Sequence, residues 1–134
     1  MATTGKAPPV GSVVLDSSCW LEFFAGTSRA DLFAGVASDP STLIVPVITV
    51  YEVFKVARRE FGNHRASEGI AYMRRGRVID IRIDVALHAA TLGLPLADSL
   101  IYATAQAHHA TLWTQDAHFE ALPNVKYFPK LLSA

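Results

Sequence analysis

Short apolar runs, each too brief for a helix, alternate along this chain with longer stretches of helical spacing. The runs at residues 12–15 ("SVVL"), 43–46 ("LIVP"), 77–83 ("RVIDIRI"), 111–114 ("TLWT") and 125–128 ("VKYF") read as strands. In "VPVITVYEVFKVARREFG", Val47, Val50, Phe54, Ala57 and Phe61 recur at three- and four-residue steps, and Gly62 supplies a stop. Further helices are expected from about Ser18 to Ala25, from a cap at Ser28 to about Ala37, over 64–75, over 84–93, and after Pro95 through "LADSLIYATAQAHHA". Parallel neighbours need a long crossover, which a helix supplies, so this alternation predicts an α/β fold with a mainly parallel sheet.

A chain of 134 residues that is 51% hydrophobic and 18% charged can bury a core and is not disordered. The expectation is a flexible tail over residues 1–11, rich in small residues with Pro and Gly, and one domain over 12–134. The start has no apolar stretch of a signal peptide, and no run approaches the roughly 20 apolar residues of a membrane span. A cytoplasmic protein with no membrane contact is therefore expected. Cys19 is the sole cysteine, which excludes an internal disulfide and a cysteine metal cage and leaves a buried, inert thiol as its reading. The net charge of +0 names no partner, but its distribution is uneven. Over residues 55–77, seven cations (Lys55, Arg58, Arg59, Arg65, Arg74, Arg75, Arg77) face two acids, Glu60 and Glu68, a net +5. Such a segment is either a solvated helix surface or a phosphate-facing patch.

In open parallel sheets, ligands bind beyond the carboxyl ends of the strands. Asp16 ends the first strand, Asp116 lies two residues past "TLWT", and Asp98 falls in the first turn of its helix. Each could be a helix cap. Glu52 could not: it lies well inside its helix, at the edge of the apolar face, with Ile48 and Val56 four residues away. A carboxylate there needs a cation, either Lys55 at i+3 or a bound metal. Four acids from four separated segments repel one another unless a divalent ion holds them, and Mg²⁺ and Mn²⁺ are the hard, oxygen-preferring candidates. Such a site suits hydrolysis of a phosphodiester, with the basic segment holding the nucleic-acid backbone. The five histidines show no zinc-motif spacing, and the chain has neither a G-x-S-x-G elbow nor a Gly-rich phosphate loop.

With "VVLDSSCWLEFF", "VPVITVYEVFKVARRE" and "LPLADSLIYATAQAHHATLWTQDAHF" in this order, the chain resembles the PIN-domain family, most closely toxin ribonucleases of the VapC type. The resemblance runs from Val13 to about Phe128 and implies a three-layer α/β/α sandwich with a mainly parallel central sheet. It also implies an acidic pocket for Mg²⁺ or Mn²⁺, endoribonuclease activity on structured RNA of the tRNA or rRNA class, a cognate antitoxin, and a homodimer. Position by position, Asp16, Glu52, Asp98 and Asp116 match the family's acids, with the three aspartates as metal ligands. Ser18 and Thr114 match its supporting hydroxyls. Many members carry an acid or Asn where this chain has His118, which puts a second metal in doubt and leaves His118 as a phosphate contact or a solvent-facing residue. Lys55, Arg58, Arg59, Arg74 and Arg75 are the candidate phosphate contacts beside it. Asp80 and Asp84 read as surface or capping residues, Glu22 as part of an exposed helical face, and Tyr51 and Phe54 as apolar surface for a partner.

Two non-catalytic alternatives stand beside this reading. A receiver-like phosphoacceptor wants paired acids after the first strand and a lysine near the last. "LDSS" offers one acid, and Lys126 is the candidate lysine. An inactive PIN-like module kept for protein binding is the other.

Overall fold

The computed structural model describes residues 11–130. Residues 1–10 of the expected tail, and the last four of the expected domain, lie outside the described residues. Five strands and six helices follow in the order β1 (Val13–Leu15), α1 (Ser17–Ala25), α2 (Ala30–Ala37), β2 (Ile44–Pro46), α3 (Val47–Phe61), α4 (Asn63–Met73), β3 (Arg77–Ile79), α5 (Ile83–Ala89), α6 (Leu96–Ala107), β4 (Thr111–Thr114) and β5 (Val125–Tyr127). A short 3₁₀ turn, Ala117–Phe119, separates the last two strands.

All pairings are parallel. β1, β4 and β5 form one sheet and β2 and β3 another, joined by a single parallel bridge between Val13 and Leu43, where Val13 N donates to the Thr42 carbonyl at 2.8 Å. The resulting order is β3-β2-β1-β4-β5. The chain builds outward from β1 in one direction and then returns to its other side, so the switch point lies between β1 and β4.

Alternation along the strands sorts the core into two layers. Val13, Leu15, Leu43 and Val45 face Cys19, Trp20, Phe33, Val53 and Met73, so α1 to α4 cover one side. Val14, Ile44 and Leu112 face Ile101, Tyr102, Ala105 and Phe119, so α6 covers the other, with α5 packed against it. Burial on both faces is why β1 and β2 read as unbroken apolar runs, while the edge strands β3 and β5 are partly exposed and carry Arg77 and Lys126. The fold is the expected α/β/α sandwich with a parallel sheet. No helix among the described residues is long and apolar enough to cross a membrane.

Two local expectations are corrected. The run at 77–83 forms only three residues of strand, because β3 has β2 as its one partner and Ile79 pairs with Pro46, the last residue of β2. Beyond it nothing is left to pair with, and Ile83, already helical, stands 79% exposed. Ser28 does not cap α2. The cap is Arg29, without a side-chain bond, and Thr27 closes the turn by accepting from Arg29 N through its hydroxyl and from Ala30 N through its carbonyl.

Candidate active site

Asp16 leaves β1 at the switch point, where its backbone N–H donates to the Trp113 carbonyl on β4 at 3.1 Å. Its side chain caps α1 by accepting from Cys19 N at 3.1 Å, accepts from Ser18 Oγ at 2.7 Å, and accepts from the buried Thr114 hydroxyl. Capping and site geometry therefore coexist in one residue. The Thr114 hydroxyl also accepts from Asp116 N at 2.9 Å, so one buried oxygen fixes two acids from adjacent strand ends. Asp116 in turn caps the 3₁₀ turn through His118 N at 2.9 Å.

Asp98 sits in the first turn of α6 but makes no capping bond; Pro95 precedes that helix without a side-chain cap. Its carboxylate instead meets His118, whose Nδ1 is 3.1 Å from Asp98 Oδ2 and 3.2 Å from Asp116 Oδ1. Asp98, Asp116 and His118 each present a ligand atom within 4.8 Å of the others, a group able to hold a metal ion. His118 thus stands in the acid cluster itself.

Glu52 is half-buried on α3 and accepts from Ser17 Oγ at 2.7 Å. Lys55 instead lies over the Tyr51 ring, 5.9 Å from its centroid. Burial pushes the Glu52 carboxyl above its ordinary range. The Ser17 bond opposes that shift, the charges of Asp98 and Asp16 add to it, and Lys55 pulls weakly the other way. Burial likewise raises Asp98, opposed by its hydrogen bond to His118 and reinforced by Asp116 and Asp16. The His118 imidazole is held above its ordinary value, first by the Asp98 hydrogen bond and then by the charge of Asp116. These mutual influences tie all four acids into one electrostatic cluster at the carboxyl edge of the sheet.

The sequence profile of the PIN domain matches residues 13–125, a span that contains every one of these acids. The chain belongs to the PIN-domain family. Its structure is similar to a toxin–antitoxin complex from Klebsiella pneumoniae at 28% identity, covering 86% of this chain and 96% of that one with a TM-score of 0.72. It shares its fold with Mycobacterium tuberculosis VapC20, a toxin that cleaves the sarcin–ricin loop (20% identity, 88% and 100% covered, TM-score 0.72). It also shares it with DNA-bound VapBC from Salmonella typhimurium (17% identity, 89% and 98% covered, TM-score 0.67). No curated protein sequence matches significantly.

In this PIN domain the basic residues are not gathered round the acids. Arg58 and Arg59 lie exposed in the last turn of α3, with Arg59 paired to Glu60 at 3.3 Å. Arg75 lies over Tyr72, and Arg74 lines a groove between α3 and α4 with Val50, Tyr51 and Phe54. Lys55 is the member whose charge reaches a site acid. Cys19 is fully buried, and desolvation pushes its thiol far upward, as expected of an inert cysteine. Glu22 is not part of an exposed face: it is half-buried, accepts from the Thr27 hydroxyl at 2.8 Å and lies 3.7 Å from Arg29. Asp84 stands in the first turn of α5, paired with Arg82 at 3.2 Å, and Asp80 is exposed. Ser17 and Gln115 are polar groups of the site that the sequence reading passed over. Ser17 adjoins Ser18 in the same motif, and its signal is helical phase, which turns it toward α3 and Glu52.

Proposed function

We propose that this PIN-domain protein is a VapC-type toxin: a metal-dependent endoribonuclease that cleaves structured RNA of the tRNA or rRNA class and is neutralised by a cognate antitoxin. The observation that carries the proposal is the convergence of Asp16, Glu52, Asp98 and Asp116 from four elements on the switch point of the sheet, with their carboxylates oriented by Ser17, Ser18 and Thr114. The site fits a hard divalent cation, Mg²⁺ or Mn²⁺: it is rich in carboxylate oxygen, Asp98, Asp116 and His118 present ligand atoms within 4.8 Å of one another, and burial and like charge push up Asp98 and the neighbouring Glu52, a condition a cation relieves. Asp16, Asp98 and Asp116 are the residues that would hold the ion. When bound, such an ion supplies charge stabilisation to the phosphate and to the leaving oxygen.

The protein's own groups do the rest. Thr114 and Ser18 hold the Asp16 carboxylate in one orientation, and Glu52, oriented by Ser17 and held above its ordinary range by burial, is suited to take the proton of an attacking water at its carboxylate. Lys55, Arg58, Arg59, Arg74 and Arg75 contribute phosphate contacts, and His118 places an imidazole, held above its ordinary value first by the Asp98 hydrogen bond, at the rim of the acids. The likeness to the Klebsiella toxin–antitoxin complex and to the Salmonella VapBC structure supports an antitoxin partner, and that to VapC20, which cleaves the sarcin–ricin loop, supports an RNA target. A homodimer and a cytoplasmic location complete the reading. Exposed Tyr51 and Phe54 supply apolar surface for one of these protein contacts. The receiver-like alternative gains nothing from the geometry, since Lys126 lies over the Trp113 ring at 4.2 Å.

The test is a cleavage map on total RNA for the wild-type chain and Asp98→Asn, alongside thermal unfolding with increasing Mn²⁺. Asp98→Asn should remain folded, lose on the order of 100-fold or more in cleavage rate, and lose Mn²⁺-induced stabilisation. Cleavage unchanged by Asp98→Asn would sink the proposal. A folded wild-type chain that Mn²⁺ does not stabilise would point to the inactive module.

A further inference from the structure

The segment that follows β5 is tied down from several directions. Phe128 N donates to the Thr114 carbonyl at 2.8 Å, which sets the segment beside the end of β4, two residues before Asp116. The Phe128 ring packs between Phe33 and Trp113, with centroids 5.1 and 5.2 Å away. Arg29, at the start of α2, then reaches across. Its Nη2 donates to the carbonyls of Phe128 and Pro129 at 3.2 and 3.3 Å, and its Nε donates to Gln115 Oε1 at 2.5 Å. Glu22 lies 3.7 Å away as its counter-charge. Gln115 extends the chain of contacts to the acids, since its Nε2 faces Ser18 Oγ at 3.4 Å and Ser18 donates to Asp16.

A guanidinium that donates to two successive carbonyls fixes the path of a backbone, and the residue this path delivers is Lys130. Lys130 is exposed and lines a depression with Ser18, Gln115, Asp116 and Ala117, next to the acid cluster. Most of the other cations among the described residues are engaged: Arg59 and Arg82 with acids, and Lys55, Arg65, Arg75 and Lys126 over rings. Arg58, Arg74, Arg77 and Lys130 form neither ion pair nor ring contact, and of these Lys130 is the one that shares a depression with a site acid. A polyanion approaching four carboxylates is repelled, and an exposed ammonium at their rim offsets that repulsion, adding to what the scattered cations of α3 and α4 supply.

We infer that Lys130 contacts a backbone phosphate of the RNA beside the acid cluster, and that Arg29 is the positioning residue that delivers it. The inference rests on the nuclease reading. Lys130→Gln should raise KM for RNA about three- to tenfold with kcat little changed, and lower the salt dependence of RNA binding by about one ionic contact; Lys130→Arg should restore both. Arg29→Gln should weaken RNA binding in the wild-type background and have no further effect on it when Lys130 is already Gln, a coupling that a merely structural role would not produce. The measurements are steady-state cleavage, and binding of total tRNA in EDTA across a range of salt.

If the wild-type chain cleaves RNA and Lys130→Gln keeps its KM and salt slope, this inference falls and the nuclease reading stands. If the chain binds RNA through Lys130 without cleaving it, the nuclease reading falls and the contact stands. No RNA binding at all overturns both. Tighter binding or faster turnover by Lys130→Gln would make Lys130 an internal counter-ion to the acids, and would also overturn the inference.

Discussion

Two threonines, both fully buried, separate what the site requires from what the core tolerates. Thr114 donates to Asp16 and accepts from Asp116 N. Thr49 Oγ1, on α3, is buried with no hydrogen-bond partner among the described residues. The same substitution should therefore have opposite signs. Thr114→Val strands a carboxylate oxygen and an amide, which costs about 1–3 kcal/mol and loosens metal affinity roughly 10- to 100-fold. Thr49→Val removes an unpaired hydroxyl at nearly constant shape and should gain up to about 1 kcal/mol. Urea midpoints of the two variants decide the matter, and equal losses at both would contradict it. Glu52 stood out in the sequence because an acid inside a helix on an apolar edge has few ordinary explanations, whereas Asp16, Asp98 and Asp116 could each be a cap, and Asp16 and Asp116 do cap. Arg29, Gln115 and Lys130 gave no such signal. Arg29 meets Gln115 across 86 positions of sequence, and neither residue is anomalous where it stands.

At the level of elements, alternation was readable and length was not. Short, mostly apolar runs and the alternating "RVIDIRI" marked all five strands, yet β3 stops at Ile79 because Pro46 ends its neighbour, a limit written elsewhere in the chain. The 3₁₀ turn at 117–119 is too short to leave a periodic pattern. The joint between α4 and β3 carries a constraint of its own. A Cβ on Gly76 would lie 2.9 Å from Leu43 Cβ, 3.1 Å from Val45 Cγ2 and 3.4 Å from the Leu43 carbonyl, all on or beside β2. These atoms are anchored to the strand, so relief means shifting β3 from β2, its only partner among the described residues. Gly76→Ala should cost about 1–3 kcal/mol. Gly35, within α2, has nothing within 4 Å of its would-be Cβ, and Gly35→Ala should gain about 0.5–1 kcal/mol. Thermal melts of the two variants test the contrast, and a stabilised Gly76→Ala would show that the joint has slack.

For the whole molecule, gathering the acids at the switch point exchanges stability for a site, and pH exposes the exchange. Glu52 and Asp98 hold their protons to higher pH when folded than when unfolded, and so does His118. From about pH 4 upward the unfolded chain releases the carboxyl protons first, so stability falls as pH rises through the folded values. The His118 contribution has the same sign: it is complete below about pH 6.5 and is lost as pH climbs through the raised folded value. Two groups pull the other way. Burial lowers His108, so its cost grows as pH falls below about 6.5, while Arg82 lowers Asp84, whose effect is confined to pH below about 4. The clean readout is therefore a difference. In EDTA, the wild-type chain should lose more thermal stability between pH 4 and pH 8 than Asp98→Asn, which has neither a carboxyl to deprotonate at that position nor the carboxylate bond that raises His118. Mn²⁺ binds the deprotonated acids, so the stabilisation it confers on the wild-type chain should grow across the same interval. A wild-type slope in EDTA no steeper than that of Asp98→Asn would mean that the acids are not coupled as their geometry requires. A Mn²⁺ increment independent of pH would place the ion away from them.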